Sequence, residues 1–434
     1  MRRPFALICL ALMSCGGGGS DASGILSGTV TGLGTSGLVL SNGNDTVSVA
    51  AGASSFSFSN ATSGSYAVTV ATQPEGQTCA VNNGSGSVSG NVSNIAITCR
   101  NYMLYVAHHE GKSIGLFGVT PASGELVALA TPTIATTYSP ASVQLSPNGL
   151  YLYLNYANDP AIDAFKVASS GALSKLGSSE SRSAGTILTG SSGGLGTTPA
   201  ISPDNLYFFN PDYSAASVSQ FKISSSGISK QTSEYVSAGI NPVTMAITPN
   251  GKYAYVINQS SNTISIFSVG STGTLSALSP ASVSISAGSK PTAIAIDPGS
   301  SYLYVALSGS NRIAQYSIGS GGALSALSPA YVASGAYPQG IAISQSGKYL
   351  YVSNTGEGTV SQFTITAGKL TALSPTVTSG TTPGAIAITP DSKYVYVANY
   401  GDNTISQFAI GSGGFLTLSS WINSGAGPTS LTVR

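Results

Sequence analysis

The chain contains only two histidines, and they are adjacent, in the run His108-His109-Glu110. Imidazole beside a carboxylate is a side-chain set suited to general acid–base chemistry near neutral pH. His108, His109 and Glu110 are therefore the candidate catalytic group. Adjacent residues of an extended chain point to opposite faces, so the two rings are not expected to share one target. No His pair has the i,i+2 or i,i+4 spacing of a zinc site, and no metal is expected. Phosphate-binding-loop and EF-hand patterns are missing too, and no cofactor is expected.

The other candidates are ligand contacts: Tyr156, Asp212, Lys290, Arg312, Tyr337 and Tyr400. They stand in columns of a repeated pattern. The column of Asn399 reads His108, Tyr156, Asp212, Asn258, Leu307, Asn354, Asn399. Asn is its default and shapes a turn through its own side chain. The departures from Asn are the positions of interest. Lys290, Tyr337 and Asn241 each precede a recurring proline, and Arg312, Glu357 and Asp402 fall in the adjoining loops.

Charged residues are 7% of the 434 residues, with Lys plus Arg 16 and Asp plus Glu 15. That balance excludes an electrostatic nucleic-acid binder, which needs a basic surface to neutralise phosphates. It favours an uncharged partner, a neutral glycan or a protein loop, for which the flat, hydroxyl-bearing Tyr156, Tyr337 and Tyr400 are suited.

These positions must be held by strands. From Tyr102 to Arg434 the chain is a repeat array. Its clearest unit runs from Pro383 through Ala385-Ile386-Ala387-Ile388, Pro390-Asp391 and Tyr394-Val395-Tyr396-Val397 to Thr404–Phe408 and Phe415–Leu418. That is four strands, the first alternating small and large as a tapering inner strand requires, the second apolar on both faces as a sandwiched strand requires. Turn prolines at Pro147, Pro203, Pro249, Pro298 and Pro390, with Gln345 in one place, recur at propeller-blade spacing. Gly190–Gly194 reads as a surface insertion. Second-strand signatures near Met103, Tyr151, Leu206, Tyr253, Tyr302, Tyr349 and Tyr394 count seven blades. The array opens on a second strand and ends on a first strand, Pro428–Val433. The last strand is therefore expected to complete the blade begun by the first three, leaving no long open edge.

Residues 25–100 carry short alternating runs separated by Asn, Gly and Ser clusters, the pattern of a small antiparallel sandwich. Ahead of them, Arg2-Arg3 and the apolar run Phe5–Met13 read as an export signal. Leu12-Met13-Ser14-Cys15 resembles the lipobox of bacterial lipoproteins. That resemblance implies that residues 1–14 are a removed signal peptide and that Cys15 carries the lipid. Residues 15–24, with Gly16–Gly19 and Ser20, then form a flexible tether. Loss of the signal removes Arg2 and Arg3 and takes the net charge from +1 to −1, so the lipid supplies the membrane contact. Gly16, where the lipoprotein family commonly has Asp for inner-membrane retention, implies the outer membrane in a host that has one. In this exported context the remaining pair, Cys79 and Cys99, is expected to form a disulfide. The 25–100 segment itself resembles the small disulfide-closed β domains of bacterial surface lipoproteins.

Tyr394–Asn399 resembles the YVTN-type repeat of bacterial surface propellers, and residues 101–434 resemble the seven-bladed lactonase family. The expected fold is therefore all-β, a small N-terminal β-sandwich followed by a seven-bladed β-propeller closed by its C-terminal strand. Catalytic members of that family tend to carry Arg-His after a blade proline and Asn-Glu at the end of the next strand. Here the first position holds Ala141-Ser142, Val243-Thr244, Thr292-Ala293, Gln339-Gly340, Gly384-Ala385 and Thr429-Ser430; the second holds Asn258-Gln259, Asn354-Thr355 and Asn399-Tyr400. Neutral groups stand where titratable ones would be needed. The expectation is a lipid-anchored, non-catalytic binding module of the cell envelope. A divergent hydrolase of sugar or acyl lactones, using His108 or His109 with Glu110, is the alternative, and a structural envelope role is a further one.

Overall fold

The computed structural model describes residues 23–157, 159–181 and 197–434. The signal, the tether with Cys15 and the Gly190–Gly194 insertion lie outside the described residues.

The first unit is two four-stranded sheets face to face. One carries Ser55–Ser63, Ser23–Thr31, Val92–Asn101 and Gln77–Asn82 in spatial order; the other carries Asp45–Val49, Leu38–Asn42, Ser65–Thr72 and Ser85–Ser87. Alternation sends Leu26, Val30, Leu40, Phe56, Phe58, Val68, Ile95 and Ile97 into the shared core. The sandwich differs from expectation in one respect. Ser23–Thr31 runs parallel to Val92–Asn101, because the chain makes its circuit of the second sheet before returning. Cys79 and Cys99 sit opposite each other on neighbouring antiparallel strands and are joined by a disulfide.

Val92–Asn101 leads almost directly into the first propeller strand, Met103–His108. The Tyr102 N–H donates to the Gly76 carbonyl (2.9 Å), and Lys393 pairs with Glu75 at 3.0 Å. The sandwich thus contacts the propeller on the end away from the blade-to-blade loops.

Seven four-stranded antiparallel sheets follow. Blade 7, from inside outward, is Pro383–Ile388, Tyr394–Asn399, Thr404–Ile410 and Leu416–Asn423. The second strands are buried on both faces, as in Tyr394–Asn399. The inner strands are half-buried and line a central channel. Blade 1 draws its inner strand, Pro428–Val433, from the end of the array; it pairs antiparallel with Met103–His108, Leu431 opposite Val106.

Side-chain latches tie blade to blade. The second tyrosine of the Tyr-x-Tyr strand donates to the carbonyl of a turn glycine in the next blade: Tyr255 to Gly322, Tyr304 to Gly368, Tyr351 to Gly414, Tyr396 to Gly124. Tyr105 does the same to Gly171. Third-strand glutamines add a second clasp, accepting a backbone N–H of the next blade, as Gln315 does from Leu370 and Gln407 from Leu126. Blade 3 departs from the pattern. Its inner strand is only Ala200–Ile201, Phe209 replaces the tyrosine, and the buried hydroxyl of Tyr153, whose ring packs on Phe208 of this blade, has no hydrogen-bond partner among the described residues.

Candidate functional site

The inner strands begin at one end of the channel, and there they enclose a cavity of about 430 Å³, within the usual size range for small-molecule sites. The residues after the blade prolines form its wall: Ala141-Ser142, Val243-Thr244, Thr292-Ala293, Gln339-Gly340, Gly384-Ala385 and Thr429-Ser430 all line it. Tyr213, Gln259 and Ser308 overhang from the second-to-third-strand loops, and Gln144 and Thr198 complete the polar set. Among the described residues the wall contains no Asp, Glu, His, Lys or Arg. Several hydroxyls are already spent on carbonyls: Ser142 on Thr197, Thr292 on Pro338, Ser308 on Lys290.

The candidate catalytic run divides into three different environments. His108 is 1% exposed. Its Nε2 accepts from the Gly425 N–H (3.0 Å) and lies 2.7 Å from the Ser424 hydroxyl; Nδ1 is 3.1 Å from Ser113 Oγ. Asn399 uses the same partners one blade away: Oδ1 accepts from the Gly380 N–H and the Ser379 hydroxyl, Nδ2 donates to Thr404 and Ser406. His108 is therefore a neutral ring filling an asparagine slot, with the proton on Nδ1. Burial pushes its pKa down to about 4. This corrects its reading as a candidate catalyst.

The whole column is explained by the residue seven positions on. Asn258, Asn354 and Asn399 each donate to a serine there: Ser265, Ser361 and Ser406. His108 faces Gly115, where a Cβ would come within 2.5 Å of the ring. Tyr156 faces Asp163 and donates to it at 2.6 Å. Asp212 accepts from Ser219, and the apolar Leu307 packs in one core with Ala314. Tyr156 and Asp212 are 2% and 1% exposed and do not line the cavity. Their place as ligand contacts is corrected to blade packing, because the larger or charged side chain is matched by its partner inside the blade.

His109 and Glu110 do reach the mouth-side face. His109 Nδ1 lies 3.3 Å from the carbonyl of Pro140, the residue before wall residue Ala141. A carbonyl only accepts, so Nδ1 is the donor in this contact, and in the neutral ring Nε2 is the acceptor nitrogen. The exposed Glu110 accepts from the Tyr400 hydroxyl at 2.8 Å. Lys290 and Tyr337 precede blade prolines in the left-handed conformation, held by N–H donation to Asn262 and Asn311. Both are exposed, as is Arg312 at the start of its strand. These residues rim the face without entering the wall. His108 and Arg312 do not converge. Gln144, Thr198 and Tyr213 carry no motif that marks them in the sequence, whereas Gln339 stands directly after a blade proline.

Fold and site together define a seven-bladed propeller whose channel mouth has, among the described residues, an uncharged wall. The sequence profile described as lactonase, 7-bladed beta-propeller, matches residues 199–382 and 368–433, more than half of the chain. The chain belongs to this lactonase family. Among solved structures it resembles a protein from Bacteroides fragilis titled as a candidate 6-phosphogluconolactonase (22% identity, 77% of this chain and 98% of that one, TM-score 0.65). It also resembles the periplasmic gluconolactonase of Pseudomonas aeruginosa (19% identity, 76% and 98%, TM-score 0.65). At these identities the likeness is one of fold. No curated protein matches the chain in sequence.

Proposed function

We propose that this chain is a lactonase-type hydrolase that opens a small cyclic ester at the channel mouth. The observation supporting this is that the channel mouth of a lactonase-family propeller keeps unspent amide and hydroxyl groups in a cavity of ligand size. In the proposed reaction a water oxygen attacks the acyl carbon. Neutral amide donors in the wall stabilise the developing oxyanion, an effect worth about 10²–10³ in rate per well-placed donor. The ring C–O bond then breaks, and the attacking water's proton passes to the departing alkoxide, giving the hydroxy acid. His109 Nε2 is the candidate base for relaying that proton. The test is hydrolysis of a panel of sugar and acyl-homoserine lactones. His109→Ala is expected to lower kcat about 10²-fold, the usual scale of general-base catalysis. Unchanged kcat in His109→Ala rejects that role.

A second reading is ligand binding without turnover. It is favoured by a wall whose only titratable side chain among the described residues is Tyr213. Saturable binding with no acceleration of any lactone in the panel would select it.

For location, the proposal is a cell-envelope protein anchored through a lipid on Cys15, motivated by Leu12–Cys15 and the Gly-rich segment that follows. A Cys15→Ser chain is expected in the soluble fraction without an acyl chain; retention in membranes rejects the anchor.

A further inference from the structure

We infer that the channel mouth selects uncharged sugar lactones and rejects their phosphorylated forms. The inference rests on the lactone reading above and names its substrate class.

A phosphate dianion entering a cavity must shed its water. That is costly unless cations or charge-assisted hydrogen bonds replace the hydration. None of the described wall residues is Lys, Arg or His. The exposed Lys290 and Arg312 are not among the wall residues.

The wall does offer neutral groups that both donate and accept. Gln144 and Gln259 each make a single side-chain contact, at 3.5 Å. The side chains of Gln339, Thr198, Thr244 and Tyr213 make no hydrogen bond among the described residues. Primary amides and hydroxyls complement sugar hydroxyls, which also act in both senses. These six groups come from blades 2, 3, 4 and 6. Apolar groups alternate with these around the wall, among them Val143, Val243, Ile294, Ile341, Ile386 and Leu431. A sugar ring likewise carries both kinds of surface, hydroxyls and C–H faces. A bulky charge matches neither.

Gly384 provides a way to change this property without disturbing the fold. It lines the cavity, its backbone is not left-handed, and an added Cβ meets no atom within 4 Å. A side chain there projects into open space.

The experiment is calorimetric titration of the intact chain with gluconolactam and with gluconolactam 6-phosphate, stable mimics that are not turned over. Gluconolactam is expected to bind and its 6-phosphate to bind at least tenfold more weakly. Gly384→Arg is expected to reverse that order, and Gly384→Val, which only fills space, to weaken both. A wild-type chain that binds the 6-phosphate as tightly as the neutral lactam overturns the inference. So does absence of gluconolactam binding up to about 10 mM, the regime of an affinity too weak for a site. Hydrolysis of glucono-1,5-lactone is read separately: lactam binding without hydrolysis counts against the hydrolase and leaves the selectivity standing.

Discussion

His108 and Gly115 behave as one unit. In three other blades the same slots hold Asn and Ser, linked by an amide-to-hydroxyl hydrogen bond. Imidazole needs more room than a carboxamide, and the missing side chain at Gly115 supplies it. Gly115→Ser alone is expected to clash with the ring and destabilise by about 2 kcal/mol, and His108→Asn alone to leave a gap costing about 1–2 kcal/mol. The double variant restores the array's own pair and should lie within about 1 kcal/mol of wild type, a coupling that a double-mutant cycle by urea denaturation measures. The ring also makes stability depend on pH. Its folded pKa of about 4 lies below the ordinary 6.5, so between those values the unfolded chain binds more protons. The contribution is intact above pH 6.5 and is lost as pH falls toward 4, by about 3 kcal/mol in total. His108→Asn with Gly115→Ser should flatten that part of the pH–stability curve; an unchanged curve would place the titrating group elsewhere.

At the scale of the strand, the repeat was legible because its period is written in core residues. Tyr394–Val397 must be apolar on both faces wherever it recurs, so blade count and strand order followed from the spacing. Parallel pairing in the sandwich was not legible, because alternation reports which face is buried and not which strand lies alongside. The site was half legible. The positions after the blade prolines do form the mouth wall, and their neutrality was visible. The departures from Asn look functional when each is read without its partner seven residues on, although three of the four partners change with them in this one chain: Gly115 with His108, Asp163 with Tyr156, Ala314 with Leu307; Ser219, opposite Asp212, keeps the default serine. The inter-blade latch makes a prediction at the same scale. Tyr351→Phe strands the buried Gly414 carbonyl and should cost about 1–2 kcal/mol. Tyr153→Phe removes a hydroxyl that has no partner among the described residues and should be neutral or slightly stabilising. Equal losses in the two variants would mean the hydroxyl bonds are not what ties neighbouring blades together.

Over the whole molecule, stability depends on a junction between the two ends of the array. The inner edge of blade 1 is covered only while Pro428–Val433 lies against Met103–His108. The segment and its flanks carry other constraints: Ser424 and Gly425 ahead of it bind His108, Thr429 within it donates to the Ala107 carbonyl, and the Arg434 guanidinium after it donates to the carbonyls of Asn101, Gly149, Ala168 and Ser169. It also contributes Thr429 and Ser430 to the mouth wall. Closure and ligand site are therefore physically one object. Deleting residues 427–434 uncovers the edge of blade 1 and removes one side of the cavity together. Scanning calorimetry should show a melting temperature lower by more than about 10 °C, since several kcal/mol of strand pairing and packing are lost at roughly 2–4 °C per kcal/mol for a domain of this size. The deleted chain should also bind no gluconolactam at temperatures where circular dichroism still shows sheet. A deletion that melts like the parent would mean the ring is held by the inter-blade latches alone.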